Sequence, residues 1–219
     1  MNTLYVSDLD GTLLRNNEIT SEYTNGVINS LTDKGMIFSY ATARSLITAK
    51  KVTKGLTAKI PLIVYNGAFV IDNISEKILI ENYFDNAVDS LLEDLFDNEV
   101  YPIVYAYIND EEKFSFVPEL CTKGMDSFIS SRSGDSRTNA VKTVNDLKLG
   151  NIFYITCIDE PQKLESLYEK YKNNVTIQNN KKIVYLHKRN FEISNSRHAD
   201  EKSTNWSHAM LSRGTKNAS

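Results

Sequence analysis

The first eighty residues predict an α/β fold built on an open sheet of parallel strands, and three observations carry that reading. Apolar strand-like runs alternate with amphipathic helical ones in the order strand, helix, strand, helix, strand, which implies right-handed crossovers. Each of the three strand-like runs closes on a polar group, at Asp8, Thr42 and Asn66, and ligands in such sheets gather beyond the carboxyl ends of the strands. Near residue 81 the pattern changes to hairpins and separate helices, which predicts an inserted α+β unit. The expected divisions are 1–80 for the sheet, 81–190 for the insertion and 191–219 for an incomplete return to the sheet.

The first strand runs through Tyr5-Val6-Ser7-Asp8 and continues as Leu9-Asp10-Gly11-Thr12-Leu13-Leu14. Residues two apart on an extended backbone point the same way, so Asp8 and Asp10 can face one small volume. Carboxylates crowded together repel unless a hard cation lies between them, and magnesium is held by one or two carboxylates plus substrate phosphate oxygens. Gly11 lets the chain turn sharply and brings its amide close to a ligand. The competing interpretation is an acidic turn after a strand, since Asp-Gly is a common turn former. A calcium loop fails on spacing, because the twelfth position counted from Asp8 is Ile19, where a bidentate Glu is required.

Thr20 or Ser21 caps the first expected helix, whose Tyr23, Val27, Ile28 and Leu31 fall on one side as a core face, with Gly35 as its stop. A strand over 36–40 ends at Ala41-Thr42-Ala43-Arg44, and a helix over 45–54 ends at Gly55. Thr42 either caps that helix or gives its hydroxyl to an anion beside the amides of the helix start. Arg44 reads as a solvated helix residue. A third strand over 61–65 runs into Asn66-Gly67, a tight turn that leads into 68–71 as a hairpin.

In the insertion, Ala87, Val88, Leu91, Leu92, Leu95 and Phe96 mark an amphipathic helix. Strands over 101–108 and 113–117 follow, joined by a turn at 109–112, then a polar helix-tending stretch to Leu147. A strand over 151–158, a helix over 161–171 and short strands at 175–178, 182–187 and 191–194 complete it. Tyr105, Tyr107, Phe114, Phe116, Phe153 and Tyr154 are expected to fill the sheet faces. The segment 134–139 reads as a surface loop. Residues from 200 open a last helix carrying Ala199, Trp206, Ala209 and Met210, with Gly214 near its end.

Three segments carry a resemblance to a known family. Asp8-Leu9-Asp10-Gly11-Thr12-Leu13 at the end of an N-terminal strand resembles the first motif of the haloacid dehalogenase superfamily of phosphohydrolases, in its Cof-type branch. Ala41-Thr42-Ala43-Arg44 resembles the second motif, usually written with glycine where this chain has Ala43, and Val64-Tyr65-Asn66-Gly67-Ala68-Phe69-Val70 resembles the Cof-type segment at that point. The resemblance runs from Tyr5 to about Ile193. It implies a Rossmann-like core with an α+β cap closing over the carboxylates. It also implies a magnesium-dependent phosphatase of small phosphorylated metabolites. Asp8 would attack phosphorus to form an aspartyl phosphate, and Asp10 would serve as acid and then base. Asp8 and Asp10 would hold magnesium, and Gly11, Thr42, Asn66 and Lys202 would bind phosphate. Lys202 stands about two residues farther from Glu192-Ile193 than the third motif leads one to expect. The first motif would also serve a phosphomutase, and a catalytically silent protein binding metal or phosphate would keep the same fold.

The rest of the composition narrows the setting. At 41% hydrophobic and 24% charged the 219 residues are ordinarily globular, with no apolar stretch long enough to span a membrane. A net charge of −3 argues against a nucleic-acid binder. No secretion leader is recognisable, so the expected compartment is the cytoplasm. Cys121 and Cys157 lack C-x-x-C spacing and read as reduced thiols, and His187, His198 and His208 show no metal spacing. The resembled family completes its magnesium site on a later strand ending in glycine-aspartate. The last twenty-five residues hold no such pair, so truncation is expected, with weakened metal binding and catalysis, and self-association through an exposed edge at the strand bearing Asp8.

Overall fold

The chain alternates between strand and helix because its apolar residues do, and a computed structural model places those elements for residues 3–171 and for two further strands, Thr176–Asn179 and Ile183–His187. Two units meet in the chain between Glu81 and Asn82.

In the first unit, β1 (Leu4–Asp8) leads through a tight turn into α1 (Glu22–Asp33), β2 (Ile37–Ala41), α2 (Leu46–Val52) and β3 (Leu62–Val64). A short turn at Tyr65–Gly67 then reverses the chain into β4 (Phe69–Ile71) and β5 (Ile78–Glu81). The sheet order is β1-β2-β3-β4-β5, parallel across the first three strands and antiparallel across the last two pairs. Register matters most here. Asp8 lies opposite Ala41, and Ala41 opposite Ile63, so the three parallel strands finish almost level. Among the described residues β1 is the outermost strand on its side. β5 has no counterpart in the sequence reading.

One helix is turned differently from what its apolar spacing predicts. Tyr23, Val27 and Leu31 of α1 are 78%, 41% and 43% exposed, while Asn25 and Thr32 are buried. The rotation is set by polar contacts. The Asn25 amide donates to the Lys54 carbonyl at 3.0 Å and the Asn29 amide to that of Gly55 at 2.9 Å, satisfying carbonyls of the turn that follows α2 and its C-cap Thr53. Ser21 caps α1, accepting from the Thr24 N–H at 3.1 Å.

The second unit begins with α3 (Ala87–Asp97) and the hairpin β6 (Ile103–Ile108) and β7 (Glu111–Phe116). Asn109 and Asp110 both have positive φ, 51° and 64°, as a two-residue type I′ loop demands. The turn is therefore shorter than expected, and β7 starts two residues earlier. Next come α4 (Lys123–Ser130), β8 (Thr138–Ala140), β9 (Asn151–Ile158) and α5 (Pro161–Tyr171), then β10 (Thr176–Asn179) and β11 (Ile183–His187). The sheet order is β10-β11-β9-β6-β7-β8. Leu91, Leu92 and Leu95 of α3 and Leu164 and Leu167 of α5 bury against Val104, Ile155 and Cys157. Tyr105 packs against the rings of Phe114, Phe153 and Tyr154, with centroids 5.7, 6.3 and 5.6 Å away, as expected of aromatics on a sheet.

The segment 134–139 departs from a plain surface loop. Its Arg137 is buried, with a guanidinium forked onto Asp135 at 2.9 and 2.6 Å and onto Glu112 at 2.6 Å, and it leads into β8 beside β7. A buried arginine survives only with its charge matched and its donors used. Both cysteines are free, and burial pushes the thiols of Cys121 and Cys157 up to about 11 and about 12. Among the described residues no helix is long and apolar enough to cross a membrane.

Candidate active site

The level finish of β1, β2 and β3 brings Asp8, Thr42 and Asn66 to the carboxyl ends of three adjacent strands. Asp8 is the last residue of β1. Its Oδ1 accepts from the Leu9 N–H at 2.7 Å, which fixes the carboxyl against the turn that follows. Burial, the largest influence, raises its pKa, and the charge of Asp10 adds to this while the Leu9 hydrogen bond opposes it. An anion held at a cost in this way is relieved by a cation.

The turn after β1 is closed by the Leu14 N–H donating to the Leu9 carbonyl at 2.9 Å. Inside it Asp10 is extended and Gly11 sits at φ +75°, a region where a side chain costs about 1–2 kcal/mol. Asp10 is turned toward the tip of β2, where Arg44 grips it. Arg44 Nε donates to Oδ2 at 2.9 Å and Nη2 to Oδ1 at 2.6 Å. Hydrogen bonding to Asp10 is the main reason the guanidinium pKa is raised. Glu18 Oε2 stands 3.6 Å from Nη2 on the far side.

Thr42 is 3% exposed. Its hydroxyl accepts from the Arg44 N–H at 3.1 Å, and its backbone N–H and carbonyl bond to the Ile63 carbonyl and the Asn66 N–H at 3.0 and 2.9 Å. It does not cap α2. That role falls to Ser45, which accepts from the Thr48 N–H at 3.2 Å, leaving the Thr42 hydroxyl at the strand end. Asn66 is buried at φ 53°, beside Tyr65 at φ 51° and Gly67 at φ 92°, so the hairpin turn is made of three successive left-handed residues. Lys202 lies outside the described residues, as do the strand expected at 191–194 and the last expected helix.

For a hard divalent cation, the site offers an oxygen donor in the Asp8 carboxylate, with the backbone carbonyls of the turn that follows as further candidates. The Asp10 carboxylate is committed to Arg44, so the structure does not bring it forward as a second side-chain ligand. Among the described residues no cluster of three or more His, Cys, Asp or Glu side chains forms. One carboxylate plus substrate oxygens is nonetheless a usual complement for magnesium.

The family model of the haloacid dehalogenase-like hydrolases matches residues 5–204. The chain belongs to that family. Among curated relatives, a protein of Mycoplasma genitalium is 33% identical over 116 residues, covering 52% of this chain and 41% of the relative. One from Buchnera aphidicola subsp. Baizongia pistaciae is 30% identical over 158 residues, covering 70% and 55%. Both carry the name "Putative phosphatase". The chain thus spans about half the length of these relatives or less. Among solved structures, a haloacid dehalogenase-like hydrolase from B. subtilis superposes with a TM-score of 0.70 at 16% identity, over 99% of this chain and 79% of that one. A protein from Thermotoga maritima gives 0.65 at 25%, over 87% and 70%. These likenesses agree with the α/β sheet and its parallel strands.

Arg44 is the residue that the sequence reading undervalued. Its one signal was its place two residues beyond Thr42, and nothing in that spacing says which acid a five-donor side chain will reach.

Proposed function

We propose that this haloacid dehalogenase-like hydrolase is a magnesium-dependent phosphatase of small phosphorylated metabolites, working through an aspartyl phosphate on Asp8 in the cytoplasm. The observation that supports it best is the Asp8-Asp10 pair at the end of β1, with Asp8 half-buried and anchored by the Leu9 N–H and Asp10 oriented separately by Arg44. Two carboxyls in different surroundings suit two different tasks.

An Asp8 carboxylate oxygen attacks phosphorus, and the phosphorus–ester oxygen bond breaks. Asp10 gives its proton to the departing oxygen, then accepts a proton from the water that releases phosphate from Asp8. The Thr42 hydroxyl and the Gly11 amide hold phosphoryl oxygens, and Asn66 shapes the rim. Asp8 and the Asp10 carbonyl would hold magnesium, which would supply charge neutralisation at the phosphoryl group, where most of the barrier to phosphoryl transfer is lowered. The second unit, an α+β insertion like the cap the family resemblance implies, is assigned the choice of substrate.

The test is phosphate release from a generic aryl phosphate with and without magnesium, with Asp8→Asn as control. Magnesium-dependent release abolished by Asp8→Asn is expected. Release that survives the substitution sinks the nucleophile assignment, isomerised sugar phosphate without free phosphate indicates a mutase, and no release from any ester indicates a silent binding protein.

A further inference from the structure

We propose that Arg44 is the positioning residue of this site, holding the Asp10 carboxylate in the one orientation from which it can serve the leaving group. This rests on the phosphatase reading above. Asp10 has a side chain 51% exposed and is followed by a glycine, so nothing in its own turn restrains its two side-chain torsions. The restraint comes from Arg44. Nε and Nη2 take one carboxylate oxygen each, at 2.9 and 2.6 Å, and a two-point fork fixes the plane of the carboxylate as well as its place.

The fork is itself anchored. The Arg44 N–H donates to Thr42 Oγ1 at 3.1 Å, and the Arg44 carbonyl accepts from the Tyr65 N–H at 3.0 Å. Arg44 therefore ties the turn after β1 to the end of β2 and to the turn after β3. Glu18 Oε2, 3.6 Å from Nη2, adds the far arm of the same turn. As a stabilising element such a half-exposed pair is worth little. Its value lies in geometry, since small misplacements of a reacting group are costly in rate.

The positioning role separates from a structural one through the leaving group. When Asp8 bonds to phosphorus and the ester bond breaks, the electron pair left on the ester oxygen needs a proton from Asp10 if that oxygen is a basic alkoxide. A nitrophenolate leaves without one. The ratio kcat/KM reports the first irreversible step, so it isolates this half of the reaction.

The experiment compares an alkyl phosphate with p-nitrophenyl phosphate, in magnesium, for the wild-type chain, Arg44→Ala and Arg44→Lys. For Arg44→Ala we expect kcat/KM to fall about 100-fold on the alkyl ester and less than about 5-fold on the aryl ester. The unfolding midpoint should move by no more than about 3 °C. Arg44→Lys restores the charge but not the fork, and should recover less than about a tenth of the alkyl activity. In metal-free protein the Arg44 Nε–H resonance should be shifted and protected from exchange, and Asp10→Ala should remove both properties. Equal losses on the two esters, full recovery by lysine, or an Nε–H signal indifferent to Asp10→Ala overturns the proposal. A wild-type chain that hydrolyses neither ester refutes the phosphatase reading and this role with it, whereas equal losses in an active wild type refute Arg44 alone.

Discussion

Replacing Arg137 by methionine should destabilise the second unit severely, although Arg137 is remote in sequence from the motif residues. The Arg137 side chain is 7% exposed, and its charge-assisted hydrogen bonds reach both oxygens of Asp135 and Oε1 of Glu112, whose side chains are 19% and 18% exposed. Methionine fills much of the volume but leaves both carboxylates without that cation. Breaking a buried pair by removing one partner costs about 3–5 kcal/mol, and residual exposure of the acids puts the expectation near the lower end, at about 3 kcal/mol. For a unit of about a hundred residues this lowers the unfolding midpoint by roughly 10–20 °C. The pH dependence carries a sign. Hydrogen bonding to Arg137 holds the Asp135 carboxyl below the usual carboxylate range. The stability it supplies is therefore complete above the unfolded pKa of about 3.9 and lost as pH falls through the lower folded value. Urea melts of wild type and variant at pH 7, 5 and 3.5 should show a constant gap between the first two and a smaller one at the third. A loss below about 1 kcal/mol at pH 7, or a gap that widens on acidification, would refute the reasoning.

Three further outcomes follow from the same physical arguments. Val27→Ser should change stability by less than about 0.5 kcal/mol, while Asn25→Ala, which strands the Lys54 carbonyl, should cost about 1–3 kcal/mol in urea melts at pH 7. Gly150→Ala should be poorly tolerated, because φ is +85° and a Cβ would lie 2.4 Å from the Tyr107 carbonyl oxygen; denaturant titration should show a loss of more than about 2 kcal/mol. Asp10→Ala should keep cooperative unfolding and lose turnover by at least about 100-fold, so a variant that unfolds without cooperativity would mark Asp10 as a structural acid.

The parallel sheet was legible because its strands are short apolar runs separated by capped helices, and each of the first three runs closes on a polar residue, Asp8, Thr42 or Asn66, whose strands the register sets level. What sequence could not show is rotation and reach. The stripe of Tyr23, Val27 and Leu31 obeys helical spacing as well as a core face does, yet two asparagines facing the end of α2 decide which side turns inward. β5 and β8 went unseen because three- or four-residue strands at a sheet margin carry almost no periodic signal. Arg137 looked like part of a polar loop, since its partners Asp135 and Glu112 belong to different segments. Arg44 read as a solvated helix residue for a similar reason: a long side chain finds its acid across thirty-four residues of chain, through geometry that spacing does not encode.

The central claim, that Asp8 becomes phosphorylated, is tested most directly by acid-quenching the chain during turnover of an aryl phosphate with magnesium and mapping the modified peptide by mass spectrometry. The account predicts one phosphoryl group on Asp8, labile to hydroxylamine and absent from Asp8→Asn. Free phosphate produced at an undiminished rate by Asp8→Asn, or a phosphoryl group found on another side chain, would contradict it.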